Sequence, residues 1–516
     1  MSLLKSGVAV GALTMVSRIF GFVRDILIAR YLGAGLAADC FFVALKLPNF
    51  FRRLFAEGAF TAAFVPMLSR ALTGPSGAVA ATRLASQALS LMLPILLALT
   101  ILAELAMPGV IWGLTGGFPD DPPEKAALAV HLTRITFPYL LLISLVSLLT
   151  GVANARGRFA AAAAAPIFLN LTLISAILLF HETPMMSAEA LAFGVAIAGC
   201  VQLVWLIWNV RKIDIDVRLM IPRISPEMKQ MLKAMLPIAI GAGAMQVNLL
   251  VDIVLATRYL PEGSLSYLFY ADRLNQLPLG VVGIAIGTVL LPTLSSLFSK
   301  GEREAAATTL NRAVEGAIAM ALPAAAALIV IGGPIIGVLF VGRAFTAADG
   351  TATAYALGAY ATGLPAYVLI KVLTPVFFAK GDTKTPVKLS MIALVLNVIL
   401  NLILMQFLAH VGLALATAIS AWVNAGALMF VAFRRGEFRP DIRFFRTIAA
   451  LVLSVGVMIA VLFSMARYTY LAEVPWQGPA AIMPLALLIA AGLLSYSAAV
   501  QAFRAYDLRS LLRRSS

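Results

Sequence analysis

Long apolar runs, broken by short polar stretches, recur from one end of this chain to the other. About 20 consecutive apolar residues are what a helix needs to cross a hydrocarbon layer of roughly 30 Å. Fourteen such stretches are predicted: 6–31, 36–66, 85–114, 128–153, 159–180, 187–210, 234–258, 265–297, 308–341, 352–378, 387–408, 411–433, 445–466 and 480–503. The first two hold most of the internal charge and have the weakest hydropathy. The eleventh and twelfth are separated only by a tight turn around "AHVG" (409–412). The predicted fold class is therefore an all-α polytopic membrane protein.

Composition supports the same class. Hydrophobic residues make up 61% of the 516 and charged residues 12%, with a mean hydropathy of +0.96. Soluble domains carry about 25% charged residues, so a chain this apolar has too little polar surface to face water. The first apolar segment lacks the short core and small-residue cleavage site of a signal peptide and is expected to stay. Cys40 and Cys200 both lie in apolar segments and build neither a disulfide framework nor a metal cluster. The three histidines, His131, His181 and His410, are scattered and suggest no site.

Charge sets the orientation. Of the 39 Lys and Arg residues, 26 fall at the termini and in the connections that share their side of the membrane. Five fall in the opposite connections: Arg30, Lys125, Arg258, Arg343 and Arg467. By the positive-inside rule both termini are cytoplasmic. This bias and attraction to anionic membrane lipids account for the net charge of +15, without nucleic acid as a partner.

The chain also echoes itself. "LTGVANARGRF" (149–159) aligns with "LTPVFFAKGDT" (373–383), "FVPMLS" (64–69) with "LLPTLS" (290–295), and "GVAIAG" (194–199) with "GLALAT" (412–417). The offsets are 224, 226 and 218 residues, which implies two parallel six-helix halves. The predicted units are an N-terminal lobe (1–210), a polar linker (211–233), a C-terminal lobe (234–435) and two further helices with a basic tail (436–516). Internal duplication of this kind is common in transporters, with the binding site between the halves.

Several ionisable groups sit at membrane depth, where each costs at least about 2.5–3.5 kcal/mol at the bilayer centre and should face protein or a wet cavity. They include Arg18, Arg24, Lys46, Arg52, Arg53, Arg134, Arg273 and Lys371, with Asp25, Asp39, Glu57, Asp252 and Asp272. Arg53 and Glu57 are four apart and Asp39 and Lys46 seven apart, so each pair shares a helix face and structural pairing accounts for them as well as function does. In the first two helices five cations, Arg18, Arg24, Lys46, Arg52 and Arg53, stand against three acids, Asp25, Asp39 and Glu57. A surplus of guanidinium groups suits an anion, because the planar fork matches phosphate oxygens two at a time and keeps its charge. In helix 8, Ser266, Arg273, Gly280 and Gly287 recur every seven residues with Gln276 beside them, a small polar stripe that admits a neighbouring helix or a ligand. A second polar set comprises Asn248 and Asp252 on helix 7, Asn397 and Asn401 on helix 11, and Thr417, Ser420 and Asn424 on helix 12. It reads either as hydrogen-bonded glue between helices or as a site for Na⁺ or a proton.

The stretch "SRIFGFVRDILIARYLGAGLAADCFFVALKLPNFFRRLFAEGAFTAAFVP" (17–66) closely resembles the N-terminal signature of the MurJ/MviN lipid II flippase family. "YADRLNQLPLGVVGIAIGTVLLPTLS" (270–295) and "KGDTKTPVK" (380–388) resemble the same family, so the likeness spans essentially the whole chain. The resemblance implies a fold of the multidrug/oligosaccharidyl-lipid/polysaccharide exporter type, with two six-helix lobes around a central cavity and two C-terminal helices forming a lipid groove. It implies lipid II as the partner, in the bacterial inner membrane, and a transporter rather than an enzyme, working here as a monomer. The family's cavity arginines fall on Arg18, Arg24, Arg52 and Arg273, and its functional acids on Asp39 and Glu57. Its cation site falls on Asp252, Asn397, Asn401 and Thr417. Asn401 replaces a carboxylate found in a relative, which weakens the expectation of Na⁺ coupling and leaves a proton or the membrane potential as other energy sources. No organic cofactor is expected.

Two rivals remain at this point. An exporter of another polyprenyl-linked oligosaccharide would share the fold, as would a drug–cation antiporter, although the latter should line its cavity with acids. A membrane enzyme acting on polyprenyl phosphates would need interfacial acids, and Asp120–Asp121 in "GGFPDDPPEK" is the nearest set; it reads more simply as a solvated turn. Reporter fusions at residues 120 and 185 should report the periplasmic side, and a cytoplasmic reading at either would overturn the orientation.

Overall fold

The computed structural model describes residues 3–53, 60–118, 122–213, 215–468 and 476–505. Among them every regular element is a helix, with no strand. It divides into two compact units, Met1–Ser266 and Tyr267–Ser516, so the division falls one helix beyond the polar linker.

The first unit begins with α1 (Leu3–Leu32), α2 (Leu36–Phe51), α3 (Thr61–Thr73), α4 (Gly77–Leu105) and α5 (Met107–Thr115). It continues with α6 (Pro123–Thr136), α7 (Tyr139–Ala155), α8 (Phe159–Leu179), α9 (Pro184–Val210) and α10 (Pro226–Tyr259). Helix α1 lies along α8, α2 along α6 and α9, and α10 along α3 and α5. Close approach depends on small residues. A Cβ on Gly199 of α9 would lie 2.8 Å from Leu142 and 2.9 Å from Tyr139 of α7, so only glycine lets these helices meet.

Helix α11 (Ser264–Ser299) starts at the end of the first unit and runs into the second. There follow α12 (Arg303–Leu339), α13 (Ala347–Ala379), α14 (Lys384–Arg434), α15 (Ile442–Tyr468) and α16 (Ile482–Ala502). Helix α12 bends at Ile331, three residues before Pro334, whose ring and missing N–H disrupt the preceding turn. Helix α14 breaks at Ala409, where φ is +47°. Its two legs run antiparallel, since Asn397 donates to Thr417 and Asn424 to Ser390 across the break. The predicted turn at "AHVG" is thus present. It requires Gly412, because a Cβ there would lie 2.4 Å from the carbonyl oxygen of Leu404.

Nine helices among the described residues are long and apolar enough to cross a membrane. The two antiparallel legs of α14 enter that count as one helix, and α2, at 16 residues, is shorter than a span. The outward faces are apolar in a way that water would not tolerate: Phe407, Leu105 and Ile221 are 79%, 76% and 76% exposed.

The polar ends are stitched by side chains. Thr346 and Asp349 form a capping box at the start of α13. After α13, Thr385 and Arg435 donate to Asp382 at 2.6 and 2.7 Å and hold its carboxyl well below the usual carboxylate range. Beside them Lys380 bonds the buried Glu437 at 2.7 Å. These contacts join the α13–α14 connection to the α14–α15 connection.

Candidate functional site

The sequence nominated Arg18, Arg24, Arg52, Asp39 and Glu57 in the first unit. Arg18 stands exposed on α1. Arg24, one and two-thirds turns further on, is 13% exposed and held by two side chains. Its Nε and Nη2 donate to Asp25 Oδ1 at 2.9 and 2.6 Å, and its Nη1 donates to Asn170 Oδ1 at 2.9 Å. Asn170 belongs to α8. It donates in turn to the carbonyl of Ser17 and rests 3.5 Å from where a Cβ of Gly21 would be. Asn170 thereby fixes the direction of the Arg24 fork, and it had no signal in the sequence beyond being a lone amide in an alanine-rich helix.

Arg52 lies in a π-helical turn that follows α2, half-buried, with its Nε donating to Asn49 Oδ1 at 3.1 Å. An inserted residue of this kind re-aims side chains and is frequent at functional sites. Glu57, and with it the Arg53–Glu57 pairing, lies outside the described residues, as do Asp120 and Asp121.

Asp39 occupies a closed network. Its side chain, near the start of α2, is buried and accepts from the backbone N–H of Gly263 (2.8 Å), the N–H of Ser266 (3.0 Å) and the Ser266 hydroxyl (2.6 Å). Gly263 precedes α11 and Ser266 is in its first turn, so Asp39 caps that helix from across the unit. Lys125 Nζ lies 3.7 Å away and is itself only 2% exposed. The sequence offered Lys46 as the partner seven residues on and placed Lys125 in an outer loop. The fold instead buries Lys125 in the first turn of α6, 5.1 Å from the Phe118 ring, with its carbonyl taking the Cys40 thiol.

In the second unit, the Arg273 guanidinium lies over the Phe269 ring at 4.7 Å. Asn397 and Asn401 are fully buried, and a chain of hydrogen bonds runs from Asn401 to Asn397 (3.1 Å), Asn397 to Thr417 (3.3 Å) and Thr417 to the carbonyl of Leu413 (3.0 Å). These three nominated residues therefore gather on the facing legs of α14. Asp252, the carboxylate of the nominated cation set, is on α10 in the first unit. The three gathered groups are neutral and bond one another, which suits helix-to-helix glue. Hard cations are held by oxygens and gain most from carboxylates, so Asp252 is the member of the set that a Na⁺ site would need most. No group of three His, Cys, Asp or Glu side chains suited to a metal occurs among the described residues.

The network makes a prediction about Asp39. Removing one member of a buried ion pair strands the other and costs about 3–5 kcal/mol. Asp39→Ala should lower unfolding stability in detergent by about that amount, and Lys125→Met in the same chain should recover much of it. Loss of transport with unchanged stability would instead mark Asp39 as acting on the substrate.

Comparison with known proteins places the whole chain. Residues 28–490 match the family model for lipid II flippase MurJ. A probable lipid II flippase MurJ of Rhizobium tropici is 42% identical over 462 residues, covering 89% of this chain and 86% of the relative. One from Rickettsia prowazekii is 34% identical over 91% of this chain and 92% of the relative. Among solved structures, a lipid II flippase MurJ in an inward closed conformation superposes with a TM-score of 0.80 at 28% identity, covering 98% of this chain and all of that one. An inward-facing multidrug resistance MATE transporter of the MOP superfamily gives 0.69 at 16% identity over 83% of this chain, a likeness of fold alone. With a match this broad in sequence and in three dimensions, the chain belongs to the MurJ lipid II flippase family.

Proposed function

We propose that this chain carries lipid II, a polyprenyl-pyrophosphate-linked disaccharide pentapeptide, from the cytoplasmic to the periplasmic leaflet of the bacterial inner membrane. Family membership across residues 28–490 is what carries the reading. In it the chain crosses the membrane fourteen times with both termini in the cytoplasm, as two six-helix lobes and two added helices. Arg18, Arg24, Arg52 and Arg273 bind the pyrophosphate in one cavity, and alternating access exposes it to either side.

The charge accounting supports an anionic cargo. From the sequence, Asp39 offset one of the five cations of the first two helices. The Lys125 pairing takes it out of that sum, which raises the positive surplus by one. Arg24 spends three of its five N–H groups on Asp25 and Asn170, which fixes its plane and leaves two for a phosphate. Asp39 shapes the frame around these groups, and Glu57 balances their charge. The chain is read as a monomeric transporter with no catalytic step. A polyprenyl-oligosaccharide exporter remains the second reading, because the same forks would take any polyprenyl pyrophosphate.

Depletion of the protein should abolish the appearance of lipid II at the outer face of the membrane, and unchanged appearance would defeat the proposal. Arg→Ala at 18, 24, 52 or 273 should abolish complementation at normal expression, and Arg→Lys should rescue poorly because a point charge lacks the fork. Retained function in all four alanine variants would remove the pyrophosphate site.

Na⁺ coupling, if the chain uses it, rests on Asp252 with Asn397, Asn401 and Thr417. With Asn401 neutral, Na⁺ dependence should be weak and should strengthen in Asn401→Asp, read as the ratio of transport with and without Na⁺. An unchanged ratio in that variant and in Asp252→Asn leaves the cluster as glue.

A further inference from the structure

The linker between α9 and α10 is pinned to α4 in an extended form. Ser86 and Ser90, one turn apart on α4 and both 2% exposed, accept the backbone N–H of Arg218 (3.0 Å) and of Met220 (2.7 Å). Ile215, 1% exposed, anchors the strap at one end. At the other end the Ser225 hydroxyl donates to Gln87 Oε1 at 3.2 Å, and the buried Met228 and Met231 follow on α10.

The other side of this strap is apolar and open: Leu219, Ile221 and Ile224 are 65%, 76% and 69% exposed. Alongside lies a groove of about 350 Å³ lined by Arg70, Arg83, Ser76, Gln87, Gln230 and Glu227. Gln87 is common to the groove and the strap. Two guanidiniums face one carboxylate there, and that carboxylate sits in the first turn of α10, where the helix dipole favours it.

With the orientation proposed above, two features put this assembly at the cytoplasmic membrane edge. Ser86 and Ser90 open the apolar stretch 85–114, and the basic connections on either side belong to the positive-inside face. At the end of α9, just before the strap, Lys212 Nζ stacks 3.1 Å over the half-exposed Trp208 ring, the amphipathic pairing found at lipid headgroup level.

We propose that this strap and groove form a binding site for an anionic glycerophospholipid of the cytoplasmic leaflet. The phosphate sits between Arg70 and Arg83, and an acyl chain lies along Leu219, Ile221 and Ile224. Charge complementarity selects the headgroup, and aliphatic side chains at membrane level select a lipid over a soluble anion. The site is separate from Arg18, Arg24, Arg52 and Arg273 and does not depend on what they carry.

Native mass spectrometry of the full chain in detergent, titrated with phosphatidylglycerol or phosphatidylcholine, tests the site. Two surface cations should favour phosphatidylglycerol by on the order of tenfold. Arg70→Gln with Arg83→Gln should abolish that preference, and Arg70→Lys with Arg83→Lys should keep most of it. Leu219→Ser, Ile221→Ser and Ile224→Ser together should weaken both lipids. Millimolar inorganic phosphate should leave phosphatidylglycerol bound. Equal affinity for the two lipids, a preference that survives the glutamine pair, or displacement by inorganic phosphate would each overturn the assignment.

Discussion

A charge or a polar side chain in hydrocarbon must find a partner, and the placement of helices in this chain follows from that need. Asp39 is the clearest case. One carboxylate on α2 is met by two backbone N–H groups, a hydroxyl and a buried ammonium. Those partners come from the start of α11 and from α6, so satisfying the charge also sets where these elements begin. The arrangement couples capping to ion pairing, and neither Asp39 nor Lys125 is tolerable alone at 3% and 2% exposure.

The same rule operates with neutral groups. Asn170 bonds the Arg24 fork on one side and the Ser17 carbonyl on the other, tying α8 to α1. Gln202 donates to the carbonyl of Ala165 and accepts from Tyr139, tying α9 to α8 and α7. Asn397, Asn401 and Thr417 do the same for the two legs of α14. Where apolar helices lack a hydrophobic drive to associate in lipid, such bonds and small-residue contacts like Gly199 supply it.

This view separates the arginines into kinds. Arg24 is charge-matched by Asp25 and oriented, whereas Arg435 and Arg312 serve ion pairs at the polar helix ends. Arg70 and Arg83 face a groove beside an apolar strap. A count of basic residues treats these alike, yet their surroundings give them different chemistry.

The sequence alone determined the all-helical membrane class, the break at "AHVG" and the family, because apolar run length, Gly412 and a signature 50 residues long are local properties of the chain. It also brought out Arg24 and Asp39 as costly residues needing explanation. Tertiary structure decided who answers that cost. Lys125 is 86 residues from Asp39, and Asn170 is 146 from Arg24, and neither spacing follows any helical period. The linker showed the same limit: "IDVRLMIPRIS" reads as a polar connection with some apolar residues until Ser86 and Ser90 of α4 fix its backbone. Partners so distant in the chain meet only when packing brings their helices together, and no pattern along one helix can state which neighbour it will have.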